Sequence, residues 1–148
     1  VADFDGDGDL DVVTAFSRMR CDAECAYATP EVHLFLNESG SDASVLSMRL
    51  QGRGRGGTNR SGIGAEVRVT AGGVTQIREL GGGNGHQGVQ NTLSLQFGLG
   101  AQCRAEVVEV RWNDAAGTVQ RFEDLPANWD VVLVEGQDDP VWPEWTPR

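Results

Sequence analysis

Short stretches of alternating apolar and polar residues recur along this 148-residue chain, and turn-forming residues separate them. In residues 65–71, for example, Ala and Val alternate with Glu, Arg and Thr, which is the two-residue period of a strand with one buried face. Helix signals are nearly absent. The pattern predicts strands at residues 10–16, 31–36, 45–51, 65–71, 74–80, 92–98, 105–112, 118–122 and 131–135.

The turns between these strands indicate how the strands are joined. Ala71-Gly72-Gly73-Val74 predicts a tight hairpin, because two glycines suit the positive φ angles of a two-residue turn. Residues 74–80 break the alternation, which predicts a bulge or an edge strand. Many short strands with one polar face each are typical of an antiparallel β-sandwich, so the predicted fold class is all-β.

The net charge of the chain indicates which classes of binding partner are disfavoured. Its formal net charge is -10, and all 12 basic residues are arginine. Such a chain disfavours nucleic acid and anionic membranes. The segment Arg53-Gly-Arg55-Gly-Gly57 has the composition of an RNA-binding tract, but two arginines are few, and a flexible loop is the favoured interpretation. No apolar run approaches the roughly 20 residues of a membrane-spanning helix.

Five carboxylates occupy every second position between residues 3 and 11: Asp3, Asp5, Asp7, Asp9 and Asp11. Their mutual repulsion requires an offsetting charge, and a hard divalent cation such as Ca²⁺ takes oxygen ligands from a short loop. Gly6 and Gly8 give the backbone the freedom to wrap the ion. A solvated acidic tail is the alternative, although a tail needs neither the alternation nor the glycines. The pattern does not favour an EF-hand, because its twelfth position would be Thr14 in place of Glu and a strand follows.

Three cysteines are present: Cys21, Cys25 and Cys103. A lone Cys-x3-Cys pair is a poor zinc site, since structural zinc usually has four ligands. We therefore expect a local disulfide between Cys21 and Cys25, which implies an oxidising compartment. Cys103 then remains as a buried thiol or as the partner in an intermolecular bond.

The acidic loop resembles the calcium loop of FG-GAP repeats, the blades of integrin-type β-propellers. The shared pattern is Asp-x-Asp-x-Asp-Gly-x-x-Asp leading into a strand. The resemblance implies side-chain oxygens from Asp3, Asp5, Asp7 and Asp11 and the backbone carbonyl of Asp9. Because the chain starts at the edge of this loop, we expect a partial repeat that belongs to a larger protein, or a missing strand supplied from elsewhere.

The region that starts near residue 50 resembles a second family, the ASPIC and UnbV domain. The resemblance continues to about residue 136, and the motifs that carry it occur in the family's order: Asn59-Arg-Ser-Gly-Ile-Gly-Ala65, Val67-Arg-Val69, the Gly72-Gly73 turn, Thr75-Gln76, Gln90, Phe97-Gly-Leu-Gly100 and Val108-Glu-Val-Arg-Trp112. After that Trp the family usually has Pro-Ser-Gly. Here residues 113–117 predict a longer hairpin turn, and His86 stands where an aromatic residue is common.

The two resemblances together predict the domain organisation. Residues 1–40 are expected to be a partial FG-GAP-like calcium-binding repeat, residues 41–136 an ASPIC/UnbV-like β-sandwich, and residues 137–148 an extended tail rich in Pro and Trp. In this tail Trp142 and Trp145 are costly to leave in water, so we expect them to dock on protein. His86, Trp142 and Trp145 are the candidate contacts for a partner or ligand.

The sequence gives little support for an enzyme. Its histidines are His33, expected to be structural, and His86, and no nucleophile elbow is present. The resemblances imply an extracellular, calcium-dependent module without a well-defined molecular activity. We therefore expect a non-enzymatic, secreted or cell-surface Ca²⁺-binding β module that is used for adhesion or assembly. Its partner would be a protein, a neighbouring subunit, a glycan or the rest of a β-propeller. A subunit of an extracellular filament joined by strand or tail exchange, and a carbohydrate-binding module, are the alternatives.

Overall fold

The computed structural model describes residues 1–16, 31–39, 43–83, 85 and 90–143. The chain divides into two compact units, Val1–Ser41 and Asp42–Arg148. The described residues contain no helix that is long and apolar enough to cross a membrane.

All nine predicted strands are confirmed, and their ends differ from the prediction by a few residues. The strand predicted at residues 92–98 starts two residues later, and the strand predicted at 118–122 continues to Pro126. The observed strands are β1 Val12–Phe16, β2 Glu31–Phe35, β3 Ser44–Gln51, β4 Glu66–Ala71, β5 Val74–Glu79, β6 Ser94–Gly100, β7 Arg104–Arg111, β8 Val119–Pro126 and β9 Trp129–Val134.

The second unit has two sheets, as expected for a sandwich. One contains three strands in the order β6-β3-β9, and the other four strands in the order β5-β4-β7-β8. The alternation of β4 follows the prediction, with Val67 and Val69 fully buried and Arg68 exposed. Apolar residues of both sheets form one core cluster, and the largest side chain in it is Trp112. The all-β fold class is therefore confirmed.

One strand pair is parallel, in contrast to the antiparallel pairing expected throughout. β9 runs parallel to β3, with Met48 opposite Val131. Asn128 sets the start of this pair, because its N–H donates to the Val45 carbonyl (2.6 Å) and its Oδ1 accepts the Val45 N–H (3.0 Å). Asn128 has a φ of 61°, a left-handed conformation that asparagine tolerates. The alternation of apolar and polar residues predicts which face of a strand is buried, but it does not predict whether the neighbouring strand is parallel or antiparallel.

Two glutamines connect the sheets along their open sides. β5 is an edge strand and pairs regularly with β4, so the edge alternative for residues 74–80 is correct. Gln76 of β5 donates from Nε2 to the Gly98 carbonyl of β6 (2.7 Å), and Arg78 lies over the Phe97 ring. On the opposite side, Gln120 of β8 accepts the Gly136 N–H and donates to the Gln137 carbonyl. Polar side chains thus bridge the two sheets at both open sides of the sandwich. The strand β5 breaks the alternation because Gln76 and Arg78, which contact the other sheet, occupy positions where apolar residues were expected.

Both predicted turns are present. Gly72 and Gly73 have φ angles of 57° and 78° between the paired residues Ala71 and Val74, which is the geometry of a type I′ hairpin. In the longer turn of residues 113–117, the Asp114 carboxylate accepts the hydroxyl and N–H of Thr118. These two hydrogen bonds hold the pKa of Asp114 below its ordinary value. The extra residues therefore lengthen the β7–β8 turn and leave the strand pairing intact.

A buried carboxylate orders the loop between β3 and β4. Glu135 is only 5% exposed, and its Oε2 accepts the N–H groups of Arg53 (2.7 Å) and Thr58 (2.9 Å). Within the loop, the Gly54 N–H donates to the Thr58 carbonyl and the Gly57 N–H donates to the Gly54 carbonyl. The expectation of a flexible loop at residues 53–57 is therefore wrong, because a residue about 80 positions away supplies its hydrogen bonds.

Gly57→Ala is expected to destabilise the second unit. A Cβ at this position would lie 2.7 Å from both carboxylate oxygens of Glu135, so the carboxylate or the loop would have to move. Overpacking of this kind costs about 1–3 kcal/mol, which lowers the melting temperature by several degrees in a domain of this size. The measurement is thermal unfolding followed by circular dichroism.

Gly81→Ala is the matched control, because a Cβ at Gly81 meets nothing within 4 Å. It should melt within about 1 °C of the parent, since surface substitutions are usually small in effect. Equal melting temperatures for the two variants would show that the contact between Gly57 and Glu135 does not constrain the loop.

Candidate functional site

Asp11 anchors the acidic loop of the first unit. Its side chain is fully buried, its Oδ2 accepts the Phe4 N–H (2.6 Å) and its Oδ1 accepts the Asn37 N–H (2.9 Å). Its backbone exchanges two hydrogen bonds with Ala2, of 2.8 and 3.2 Å. One side chain therefore joins the beginning of the loop, its end and the residues that follow β2.

Asp3 closes the turn from the other end. Its Oδ1 accepts the Gly6 N–H (2.7 Å) and its Oδ2 accepts the Gly8 N–H (3.1 Å). Gly6 and Gly8 have φ angles of 83° and 100°, in the region that favours glycine. The two glycines noted in the sequence therefore occupy positions that the curved backbone requires.

This curvature brings three of the five predicted carboxylates together. Asp3, Asp5 and Asp11 each contribute one oxygen to a group in which all three atoms lie within 4.8 Å of one another. Asp7 and Asp9 do not belong to this group. Instead, Asp7 is exposed, and its Oδ1 accepts the Asp9 N–H (2.8 Å).

The convergence of carboxylates affects their pKa values. The Asp7 N–H lowers the pKa of Asp5, but desolvation and the negative charges of Asp7, Asp11 and Asp3 together raise it above its ordinary value. The pKa of Asp11 is lowered, first by the Asn37 N–H and then by the Phe4 N–H. Backbone N–H donors thus stabilise the ionised form of Asp11, whereas desolvation and the neighbouring carboxylates disfavour the ionised form of Asp5.

The donor set fits a hard cation. Every converging atom is a carboxylate oxygen, which is the type of ligand that Ca²⁺ and Mg²⁺ take. Structural zinc sites are instead built mainly from Cys and His. Each oxygen has two lone pairs, so an oxygen that accepts one N–H can still bind a metal. The residues present therefore suit such an ion, with Asp3, Asp5 and Asp11 as the ligands that the geometry brings together.

The strand pair behind the loop exposes apolar side chains. β1 and β2 form a two-stranded antiparallel sheet in which Val13 faces Leu34 and Ala15 faces Val32. These four residues share one face, here called the apolar hairpin face, and Val32 is 72% exposed. The other face is mixed, since His33 pairs with Glu31 (3.1 Å) and stacks on Phe35.

The remaining predicted site residues are only partly described. Cys21, Cys25, His86 and Trp145 lie outside the described residues. Trp142 is 40% exposed and packs edge-on against Trp129, with ring centroids 6.2 Å apart, beside a backbone pair between Val141 and Val132. Cys103 is exposed, so the alternative of a buried thiol is wrong.

Comparison with known proteins identifies the second unit. A family model described as ASPIC and UnbV matches residues 54–140. The chain belongs to the ASPIC and UnbV family. Neither the curated proteins nor the solved structures contain a match to the chain. The matched residues cover both sheets from β4 onward, whereas the acidic loop lies outside them.

Sequence reasoning missed Glu135, which holds the loop at the start of the family match. The available signal was weak: an acidic residue directly after the apolar run Val131 to Val134. A charged residue at the end of a buried strand is commonly solvated, and nothing local identifies its partners at Arg53 and Thr58. Only the parallel pairing of β9 with β3 brings these residues together.

Asp11→Asn is expected to loosen the loop even without a metal. One of the two backbone N–H donors would then face an amide NH₂ group, which cannot accept a hydrogen bond. Amide hydrogen exchange, measured by NMR in EDTA, should accelerate roughly tenfold at whichever of Phe4 and Asn37 loses its acceptor, for a loss of about 1.4 kcal/mol.

Asp7→Asn serves as the control because it keeps the Oδ1 acceptor that the Asp9 N–H uses. It should leave exchange at Phe4 and Asn37 unchanged. Unchanged exchange in Asp11→Asn as well would refute the role of Asp11 as the anchor of the loop.

Proposed function

We propose that the chain is a non-catalytic, extracellular Ca²⁺-binding β module that supports adhesion or assembly. The observation that carries this proposal is the convergence of Asp3, Asp5 and Asp11 on one point in a loop shaped by two glycines with positive φ. Hydrogen bonds organise the backbone of this loop, yet they leave its carboxylates opposing one another. A bound divalent cation would remove that repulsion.

Calcium is the preferred ion because of the number of oxygen ligands that the loop offers and the flexible geometry that Ca²⁺ accepts. Ca²⁺ takes about 6–8 oxygens in flexible geometry, whereas Mg²⁺ demands near-ideal octahedral geometry and keeps several waters. A nine-residue loop with five carboxylates can supply the larger number of oxygens that Ca²⁺ takes. The FG-GAP resemblance supports the same ion and adds Asp7 and the carbonyl of Asp9 as further ligands.

The apolar hairpin face supports the adhesion or assembly role. A two-stranded sheet is marginally stable in water on its own, and here one face consists of Val13, Ala15, Val32 and Leu34. Asn37, which follows β2, is held by the buried Asp11. Calcium binding would therefore stabilise the strand pair that presents this face, and the face would dock on a further β-propeller strand or a neighbouring subunit.

Two other roles follow from specific observations. A filament subunit is favoured by the same apolar hairpin face, if its occupant is a second copy. A carbohydrate-binding module is favoured by the pair Trp129 and Trp142, since both rings remain partly exposed (38% and 40%) and could stack on a sugar. Calcium-dependent docking remains the primary proposal because it accounts for both the acidic loop and the hairpin.

Titration calorimetry tests the calcium site. The parent chain should bind one Ca²⁺ with a dissociation constant of roughly 10⁻⁴–10⁻³ M, the range of extracellular modules. Asp5→Asn should weaken binding by at least about tenfold, because it removes one negative charge from the converging group without disturbing the buried Asp11. Mg²⁺ should bind more weakly.

Asp138→Asn is the charge-matched control, since it makes the same change in the second unit. It should bind calcium as the parent does. Retention of the parent affinity by Asp5→Asn, or absence of binding to the parent at millimolar calcium, would contradict the proposed site.

Val32→Glu tests the docking role of the apolar hairpin face. A buried charge in that interface should abolish calcium-dependent self-association, or capture of the rest of the propeller, measured by analytical ultracentrifugation of the full protein. Calcium affinity should remain unchanged, because Val32 lies away from the acidic loop in the strand register.

Thr14→Glu is the matched control, because Thr14 lies on the mixed face opposite His33. It should associate as the parent does. Loss of association in both variants, or in neither, would show that the apolar hairpin face is not the docking surface.

A further inference from the structure

The loop between β3 and β4 concentrates positive charge. Arg53, Arg55 and Arg60 occur within eight residues, and all three are exposed. Within the described part of the chain Arg55 and Arg60 make no ion pair, while Arg53 lies 3.9 Å from the buried Glu135. Four of the five arginines in the four-stranded sheet are different, since acidic side chains pair with Arg68, Arg104, Arg111 and Arg121.

This arginine loop, residues 53–60, has a fixed backbone. Glu135 accepts the N–H groups of Arg53 and Thr58, at both ends of the turn. Because the carboxylate is buried, these hydrogen bonds are shielded from water and hold the backbone in one conformation. The arginines therefore project from an ordered loop, which reduces the entropy lost when a ligand binds.

The fold also brings Arg60 back to the other two arginines. A Cβ placed on Gly54 would lie 3.2 Å from the Arg60 Nε, so the guanidinium of Arg60 lies over Gly54. Gly54 is between Arg53 and Arg55 in sequence, and its φ is 82°. The side chains of Arg53, Arg55 and Arg60 therefore lie on one small area of the surface, although Arg60 is five residues beyond Arg55 in sequence.

We propose that the arginine loop binds an anionic polysaccharide through its carboxylate or sulfate groups. Guanidinium groups bind such oxyanions with two parallel hydrogen bonds. Residues 52–62 contain no apolar side chain, so the loop lacks the apolar anchors that protein interfaces depend on. It also lacks an aromatic ring on which a nucleic acid base would stack.

The acidic net charge of the chain is compatible with this assignment. Residues 1–41 contain nine acidic residues and two arginines, so most of the excess negative charge, -7 of -10, belongs to the first unit. At about 0.1 M salt, interactions between exposed charges fall off over about 10 Å. Binding through exposed arginines should therefore weaken as salt is added.

The test uses the full chain in EDTA, so that the calcium site plays no part in it. Dextran sulfate and polygalacturonate are immobilised as the sulfated and carboxylated probes, with neutral dextran as the blank. Binding is measured by biolayer interferometry at about 50 and 300 mM salt. The parent should bind at least one anionic probe at low salt and not neutral dextran, and the tighter of the two identifies the preferred oxyanion.

The double variant Arg55→Gln/Arg60→Gln should lose binding by roughly tenfold or more, since each charged hydrogen bond contributes substantially. Arg104→Gln/Arg121→Gln is the matched control, with the same change in net charge at exposed arginines that are already paired. It should bind within about twofold of the parent. Melting temperatures of both variants verify that the fold is retained.

Three results would overturn the proposal. The first is that neither anionic probe binds better than neutral dextran. The second is that both double variants lose affinity equally, which would indicate general charge attraction. The third is that polyglutamate or single-stranded poly-dT binds as tightly as the polysaccharides, which would assign the loop to acidic protein or nucleic acid.

Discussion

A buried carboxylate that accepts two backbone N–H groups organises each unit of this protein. In the first unit Asp11 holds Phe4 and Asn37, and in the second Glu135 holds Arg53 and Thr58. Burying a charge is costly unless hydrogen bonds compensate it, and backbone donors supply part of that compensation without side-chain entropy. Both carboxylates therefore convert an irregular segment into a defined loop, and both proposed binding sites lie on these loops.

The two loops differ in the charge that they leave unbalanced. Around Asp11 the remaining carboxylates are close together, and desolvation and their mutual repulsion raise the pKa of Asp5, which favours a cation. Around Glu135 the loop exposes Arg55 and Arg60, which have no acidic partner in the described part of the chain, and this favours an anion. A buried carboxylate that binds backbone N–H groups thus supports an acidic loop in one unit and a basic loop in the other. The first unit also exposes the apolar hairpin face, a second surface on which a partner would dock.

Much of the fold was accessible from the sequence because alternation is a local signal. The two-residue period placed all nine strands, and Gly72-Gly73 identified the β4–β5 hairpin. The parallel pairing of β9 with β3 was not accessible, because alternation does not encode strand direction. The acidic loop was recognisable from Asp3 to Asp11, but which carboxylates converge depends on φ angles at Gly6 and Gly8. Glu135 was missed because its partners lie about 80 residues away.

The central claim is that Asp3, Asp5 and Asp11 hold a calcium ion. Anomalous diffraction from crystals grown with calcium tests it most directly, because it locates the ion itself. One peak is expected in the acidic loop, within about 2.3–2.6 Å of carboxylate oxygens from all three residues. A loop without a peak at saturating calcium, or a peak bound by other residues, would contradict it.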